Sequence, residues 1–95
     1  MSRRKLSDEE IAVGLSKLEG WKVDGEWLKK RFDFRNFALS LDFVNKVGEF
    51  AEEADHHPDI KFGWGYVEIE LTTHDTGGLT QNDFDLAGKI QGIDH

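Results

Sequence analysis

The amino-acid sequence predicts an α+β domain: a four-stranded antiparallel sheet with helices packed on one face, in the element order α-β-β-α-β-β-α. Three observations lead there. Two pairs of strand-like runs are each joined through a glycine, at Asp24-Gly25 and at Gly65, as in consecutive hairpins. Three segments repeat apolar residues at helical spacing, and two of them open on capping boxes. The last strand alternates strictly, with Val67, Ile69, Leu71 and Thr73 on one face and Glu68, Glu70, Thr72 and His74 on the other. That alternation belongs to a sheet covered on one side only, as antiparallel sheets commonly are.

Ser7 with Glu10 forms a capping box and Leu6 with Ile11 a hydrophobic staple, so a first helix starts at Asp8, carries Ile11, Leu15 and Leu18 on one face and stops at Gly20. A hairpin follows: Trp21-Lys22-Val23, the Asp24-Gly25 turn, which accepts the positive φ angles of a two-residue loop, and Glu26 to Phe34. Leu28, Phe32 and Phe34 share a face with Lys30, which fits there near an edge with its ammonium snorkelling outwards. Asn36 is the expected N-cap of a long helix to about Ala54. Phe37, Leu41, Val44 and Ala51 form one apolar stripe of it, and Phe43, Val47, Phe50 and Ala54 an adjoining one. Together they are wider than one sheet contact needs, which points to burial against a partner subunit. Pro58 closes this helix by pushing His57 out of the α region. Strands are expected from Asp59 to Trp64 and from Tyr66 to Thr73; Gly77-Gly78 then turns into a last helix, opened by the Thr80-Asp83 box and the Leu79-Phe84 staple and carrying Phe84, Ala87 and Ile90.

Ninety-five residues make a single domain, 1–95. With no cysteine the chain has neither a disulfide framework nor a thiolate nucleophile, and the cytoplasm, a reducing compartment, is its simplest home. The net charge of −7 opposes direct nucleic-acid binding, which needs a clustered basic surface; Lys29-Lys30-Arg31 reads as a solvated strand face. The basic stretch Met1 to Lys5 runs into Leu6-Ser7-Asp8-Glu9-Glu10 and not into an apolar run, so a frayed tail is expected, without a secretory signal or a membrane span.

Glu52-Glu53-Ala54-Asp55-His56-His57-Pro58 holds two of the four histidines beside a carboxylate, and Thr73-His74-Asp75 holds a third. His95 is read as a bare chain end. Glu52 and His56 stand four apart at a helix end, so the carboxylate can reach the imidazole and hold its orientation. His57, kept extended by the proline, points elsewhere. Imidazoles change protonation nearest neutrality, so three of them suit proton transfer at physiological pH. Three histidines can also bind zinc, but adjacent His-His starts a tridentate set awkwardly and no His-Glu-x-x-His spacing occurs, so no metal is expected. Trp21 is either core or, lying near the first turn, a platform for a flat ring.

The string Glu52-x-x-Asp55-His56-His57-Pro58, followed by Thr72-Thr73-His74-Asp75-x-Gly77-Gly78-Leu79-Thr80-x-x-Asp83, resembles the pterin-4a-carbinolamine dehydratase family over nearly the whole chain. The resemblance implies a small α+β subunit that forms homodimers or homotetramers. It also implies a hydro-lyase step, dehydration of 4a-hydroxytetrahydrobiopterin or a related 4a-hydroxytetrahydropterin to the quinonoid dihydropterin, in tetrahydropterin recycling after an aromatic amino acid hydroxylase, with no cofactor. By the same resemblance His56 and His74 are the acid and base pair, His57 positions the hydroxylated ring edge and Glu52 tunes or orients the imidazoles. Trp21, Pro58, Thr73, Asp75 and Asp83 are then the substrate-binding set. Asn82 falls where some members carry a basic residue. Other members are binding proteins, a dimerisation cofactor for a transcription factor and assembly chaperones among them; intact His56, His57 and His74 favour the enzyme.

Overall fold

The computed structural model describes residues 4–94. Met1 to Arg3 of the expected tail, and His95, lie outside the described residues. The elements are α1 (Asp8–Ser16), β1 (Lys22–Asp24), β2 (Trp27–Asp33), α2 (Phe37–Ala54), β3 (Asp59–Gly63), β4 (Tyr66–Leu71), one 3₁₀ turn (His74–Thr76) and α3 (Gln81–Gln91). The sheet is antiparallel throughout, in the order β1-β2-β4-β3. The two hairpins therefore join along β2 and β4, with Leu28 opposite Leu71 and Phe32 opposite Val67. The predicted order and fold class are those observed.

Local chemistry accounts for most element ends. The Ser7 hydroxyl accepts the Glu10 amide and the Glu10 carboxylate accepts the Ser7 amide at 2.9 Å, so α1 starts at Asp8. It ends at Ser16, before the expected Gly20, because Lys17 and Leu18 tighten into bonds to Gly14 and Leu15, three residues back. The first hairpin is displaced by one residue from expectation. Asp24 pairs with Trp27, so the two-residue turn is Gly25-Glu26. Only Gly25, at φ 61°, takes a positive φ there, the pattern of a type II′ turn, whereas an Asp24-Gly25 turn of type I′ needs it at both residues.

Leu28 and Phe32 of β2 and Val67, Ile69 and Leu71 of β4 form the covered face, under Phe43, Val47 and Ala51 of α2 and Leu86, Ala87 and Ile90 of α3. Truncating Leu71 or Ile90 to alanine should cost about 2–5 kcal/mol. α1 reaches α3 through Gly14, where an added Cβ would lie 2.7 Å from the Phe84 ring. The opposite face is charged: Arg31 meets Glu68 at 3.4 Å and Lys29 meets Glu70 at 3.8 Å, so the basic run answers carboxylates of the neighbouring strand. Lys30 shares the inner face beyond the end of short β1, with its ammonium on the Glu19 carbonyl at 2.9 Å and the Gln91 side chain at 2.8 Å. Burial lowers its pKa from the ordinary lysine value.

α2 runs from the Asn36 cap to Ala54 as predicted, and buries Ser40, Phe43, Val47 and Ala51. The two expected stripes do not separate cleanly: of the first, Ala51 is buried and Val44 half-buried while Phe37 and Leu41 stay at the surface, 45% and 41% exposed, and Ala54 of the second is exposed. The helix stop differs in kind from expectation. Asp55 adopts the left-handed conformation at φ 50° and ψ 42°, the His56 amide bonds the Ala51 carbonyl at 3.1 Å and the Asp55 amide bonds the Glu52 carbonyl at 3.3 Å. This is a Schellman motif with aspartate in the position glycine usually takes. The helix is thus closed two residues before the effect of Pro58. Among the described residues no helix is long and apolar enough to cross a membrane.

Candidate active site

The left-handed turn at Asp55 decides where the adjacent histidines go. His56 folds inward, 7% exposed, and places Nε2 2.5 Å from Oδ1 of Asp83 in the first turn of α3. Asp83 is fully buried. Its other oxygen, Oδ2, accepts the Thr73 hydroxyl at 2.8 Å and the Thr80 amide at 2.9 Å, and the Thr73 and Thr80 hydroxyls are 2.9 Å apart. Among the described residues no buried side-chain polar atom lacks a partner. A buried carboxylate with both oxygens engaged holds the His56 ring in place.

His57 points the other way, into solvent, and pairs through Nε2 with Glu52. The expected Glu52 to His56 contact is therefore corrected: the carboxylate four residues back meets the next histidine, because the left-handed residue turns His56 away from the helix end on which Glu52 sits. The pairing missed from sequence was His56 with Asp83, twenty-seven positions on. Its only available signal was that a capping-box residue of α3 is a carboxylate.

His74 is exposed at the start of the 3₁₀ turn, directly after the buried Thr73, whose hydroxyl holds the carboxylate that holds His56. β4 ends at Leu71, short of the expected Thr73, which keeps only an isolated bridge to Gly78. The Trp27 ring meets that of His74 edge to face, 5.8 Å between centroids and 78° between planes. Trp27 was not singled out from sequence, although its place one residue before Leu28, which pairs with the last residue of β4, brings it beside the segment that leads to His74 once the register is known. Trp21 takes the core alternative: it is 6% exposed, meets Phe32 edge to face at 6.1 Å and donates Nε1–H to Gln91 at 2.9 Å. Pro58 is half-buried and Asp75 exposed, flanking the two histidine turns, while Asn82 is half-buried on α3.

The arrangement thus comprises one imidazole locked on a buried carboxylate, one on an exposed carboxylate and one against an indole. It lies in an α+β domain whose two histidine-bearing turns are linked through Asp83 and Thr73. A family model described as pterin 4 alpha carbinolamine dehydratase matches residues 4–93, and the chain belongs to that family. A protein of Picosynechococcus sp. named "Putative pterin-4-alpha-carbinolamine dehydratase" is 55% identical over 87 residues, covering 90% of this chain and 94% of the other. One of the same name from Sulfolobus acidocaldarius is 46% identical, covering 94% and 98%. Among solved structures, a transcriptional coactivator/pterin dehydratase from Brucella melitensis superposes with TM-score 0.87 at 32% identity, over 92% of this chain and 95% of that one. A pterin dehydratase-like protein described as a RuBisCO assembly factor of the alpha-carboxysome gives TM-score 0.62 at 28% identity, over 75% and 82%.

Proposed function

We propose that this single domain dehydrates a 4a-hydroxytetrahydropterin to the quinonoid dihydropterin and water, in tetrahydropterin recycling. The observation that supports the reading is the presence, in a chain of this family, of three histidines on two turns linked through Asp83 and Thr73, each with a partner group. The reaction breaks the C4a–O bond. One proton goes to the departing hydroxyl and one leaves the ring nitrogen, so no electron acceptor is required and imidazoles can supply both transfers. His56 and His74 are the acid and base pair, and His57, steadied by Glu52, positions the hydroxylated edge. Pro58, Thr73 and Asp75 shape the turns around it. Trp27, which can offer a ring face beside His74, replaces Trp21 as the stacking candidate.

An ultraviolet assay on synthetic 4a-hydroxytetrahydropterin, with the spontaneous reaction subtracted, tests this. Faster loss of the substrate with the protein present is expected; an unchanged rate would remove the reading. The chain is further proposed to work in the cytoplasm as a homodimer or homotetramer without direct nucleic-acid contact. Exposed Phe37, Leu41 and Trp64, the last 71% exposed, and the free edge of β3 support assembly. Light scattering showing a monomer at micromolar concentration would refute it. The same apolar surface also favours a second reading, a binding or dimerisation protein that has kept the fold, and that reading takes over if all three histidines prove dispensable.

A further inference from the structure

Resting on the dehydratase reading, we infer that Asp83 is a positioning residue that holds His56 with its proton on Nε2, so that Nδ1 is the atom through which His56 exchanges protons with substrate. The hydrogen-bond directions require it. The Thr80 backbone N–H can only donate, and it donates to Oδ2 of Asp83 at 2.9 Å. The Thr73 hydroxyl spends its one proton on the same oxygen at 2.8 Å, so the Thr80 hydroxyl, 2.9 Å from it, must donate to Thr73. Oδ2 is thereby fully engaged as an acceptor, which leaves Oδ1 to accept from Nε2 of His56 at 2.5 Å. In a neutral imidazole with Nε2 protonated, Nδ1 carries the lone pair. Asp83 is fully buried with both oxygens engaged, so it acts through His56 and leaves contact with substrate to other residues of the expected binding set.

The same directions determine what the isosteric variant does. In Asp83→Asn the Thr80 amide still needs an acceptor, so the amide oxygen takes the Oδ2 place and the NH₂ group faces Nε2. Nε2 then has to accept, and the proton moves to Nδ1. A neutral His56 with its proton on Nδ1 has no lone pair there with which to exchange protons with substrate, and the expected fall in kcat is on the order of 10²-fold or more with KM within about twofold.

Long-range ¹H–¹⁵N correlation spectra of the ¹⁵N-labelled full chain, with His56 assigned from the peaks missing in His56→Gln, read the tautomer without turnover. The expected result is one neutral tautomer for His56, protonated at Nε2, and its inversion in Asp83→Asn. A wild-type His56 protonated at Nδ1, or averaging between tautomers as a free imidazole does, overturns the inference even where Asp83→Asn fails to fold. A folded Asp83→Asn that keeps the Nε2 proton and wild-type kcat overturns it as well. The fixed tautomer in a chain that dehydrates nothing would support the positioning of His56 and overturn only the dehydratase reading.

Discussion

His56 and His57 are neighbours, and each binds a carboxylate through Nε2, yet the two pairs differ in nearly every physical respect. The His56–Asp83 pair is buried, spans the end of α2 and the start of α3, and is embedded in a chain of threonine hydrogen bonds. The His57–Glu52 pair is local to one helix end and stands in water, with side chains 55% and 78% exposed. Water and ions screen the second and side-chain entropy opposes it, so it contributes about 0–1 kcal/mol. Breaking the first leaves buried polar groups unmatched. Chemistry that needs one fixed and one adjustable imidazole finds both within two residues.

The largest test of this contrast is stability. Asp83→Ala should lower unfolding free energy by about 3–5 kcal/mol, because His56, Thr73 and the Thr80 amide lose their acceptor, whereas Glu52→Ala should stay within about 1 kcal/mol. Urea unfolding of the two variants checks this, and equal losses would abolish the distinction. Activity comes next. His56→Ala, His57→Ala and His74→Ala should each remain folded and lower dehydration by at least roughly 10². Of the adjacent two, only His56→Ala should also unfold at lower denaturant, since it leaves Asp83 buried without its ring partner. Wild-type turnover in all three would transfer the site to the binding-protein reading.

Salt sharpens the exposed side. The stability difference between wild type and Glu52→Gln should shrink towards zero between low salt and 1 M, where the screening length is about 3 Å, while Asp83 variants keep their deficit. A Glu52→Gln deficit that ignores salt would mean that this pair is sheltered. The smallest effect involves a third pair, also at the surface. The Arg4 guanidinium, helped by the Ser7 amide, pulls the Glu10 carboxyl from its ordinary 4.5 down to about 2. A lowered folded-state value means that Glu10 contributes stability above about pH 4.5 and loses it as pH falls towards 2. Arg4→Ala should move the Glu10 titration upward in an NMR series and flatten that acid-side decline; an unmoved titration would show the pair to be absent in solution.

Where sequence reading succeeded, the information was local. Capping boxes at Ser7 and Thr80, the Asn36 cap and the alternation of Val67, Ile69 and Leu71 each act within a turn or a strand, and they placed the elements to within a few residues. The histidine turns were equally legible, because their residues are contiguous. What stayed hidden depended on the sign of one backbone angle or on tertiary register. No glycine marks the left-handed Asp55, so nothing in the sequence showed that Glu52 would meet His57 or that His56 would turn towards α3. Moving the first turn by one residue sets where Trp27 falls, and a type II′ turn with glycine first reads almost the same as one with glycine second. Trp21 and Trp27, six positions apart, look alike in sequence; burial alone separates the core ring from the one beside His74.

The Schellman turn also makes the stretch from Glu52 to Pro58 a ruler. Its hydrogen bonds run from His56 to Ala51 and from Asp55 to Glu52, so each position is defined by its count from the helix end. Glycine at 55 would suit the left-handed angle and preserve that count, and such a replacement should leave both pairs in place. An inserted or deleted residue would instead present the wrong side chain to Asp83 and to Glu52 at once, even with every original residue still present. Tolerance here should therefore divide by type of change: glycine in place of Asp55 survives, while changes in length across the turn do not. The turn transmits any change in its length directly to the His56–Asp83 and His57–Glu52 pairs.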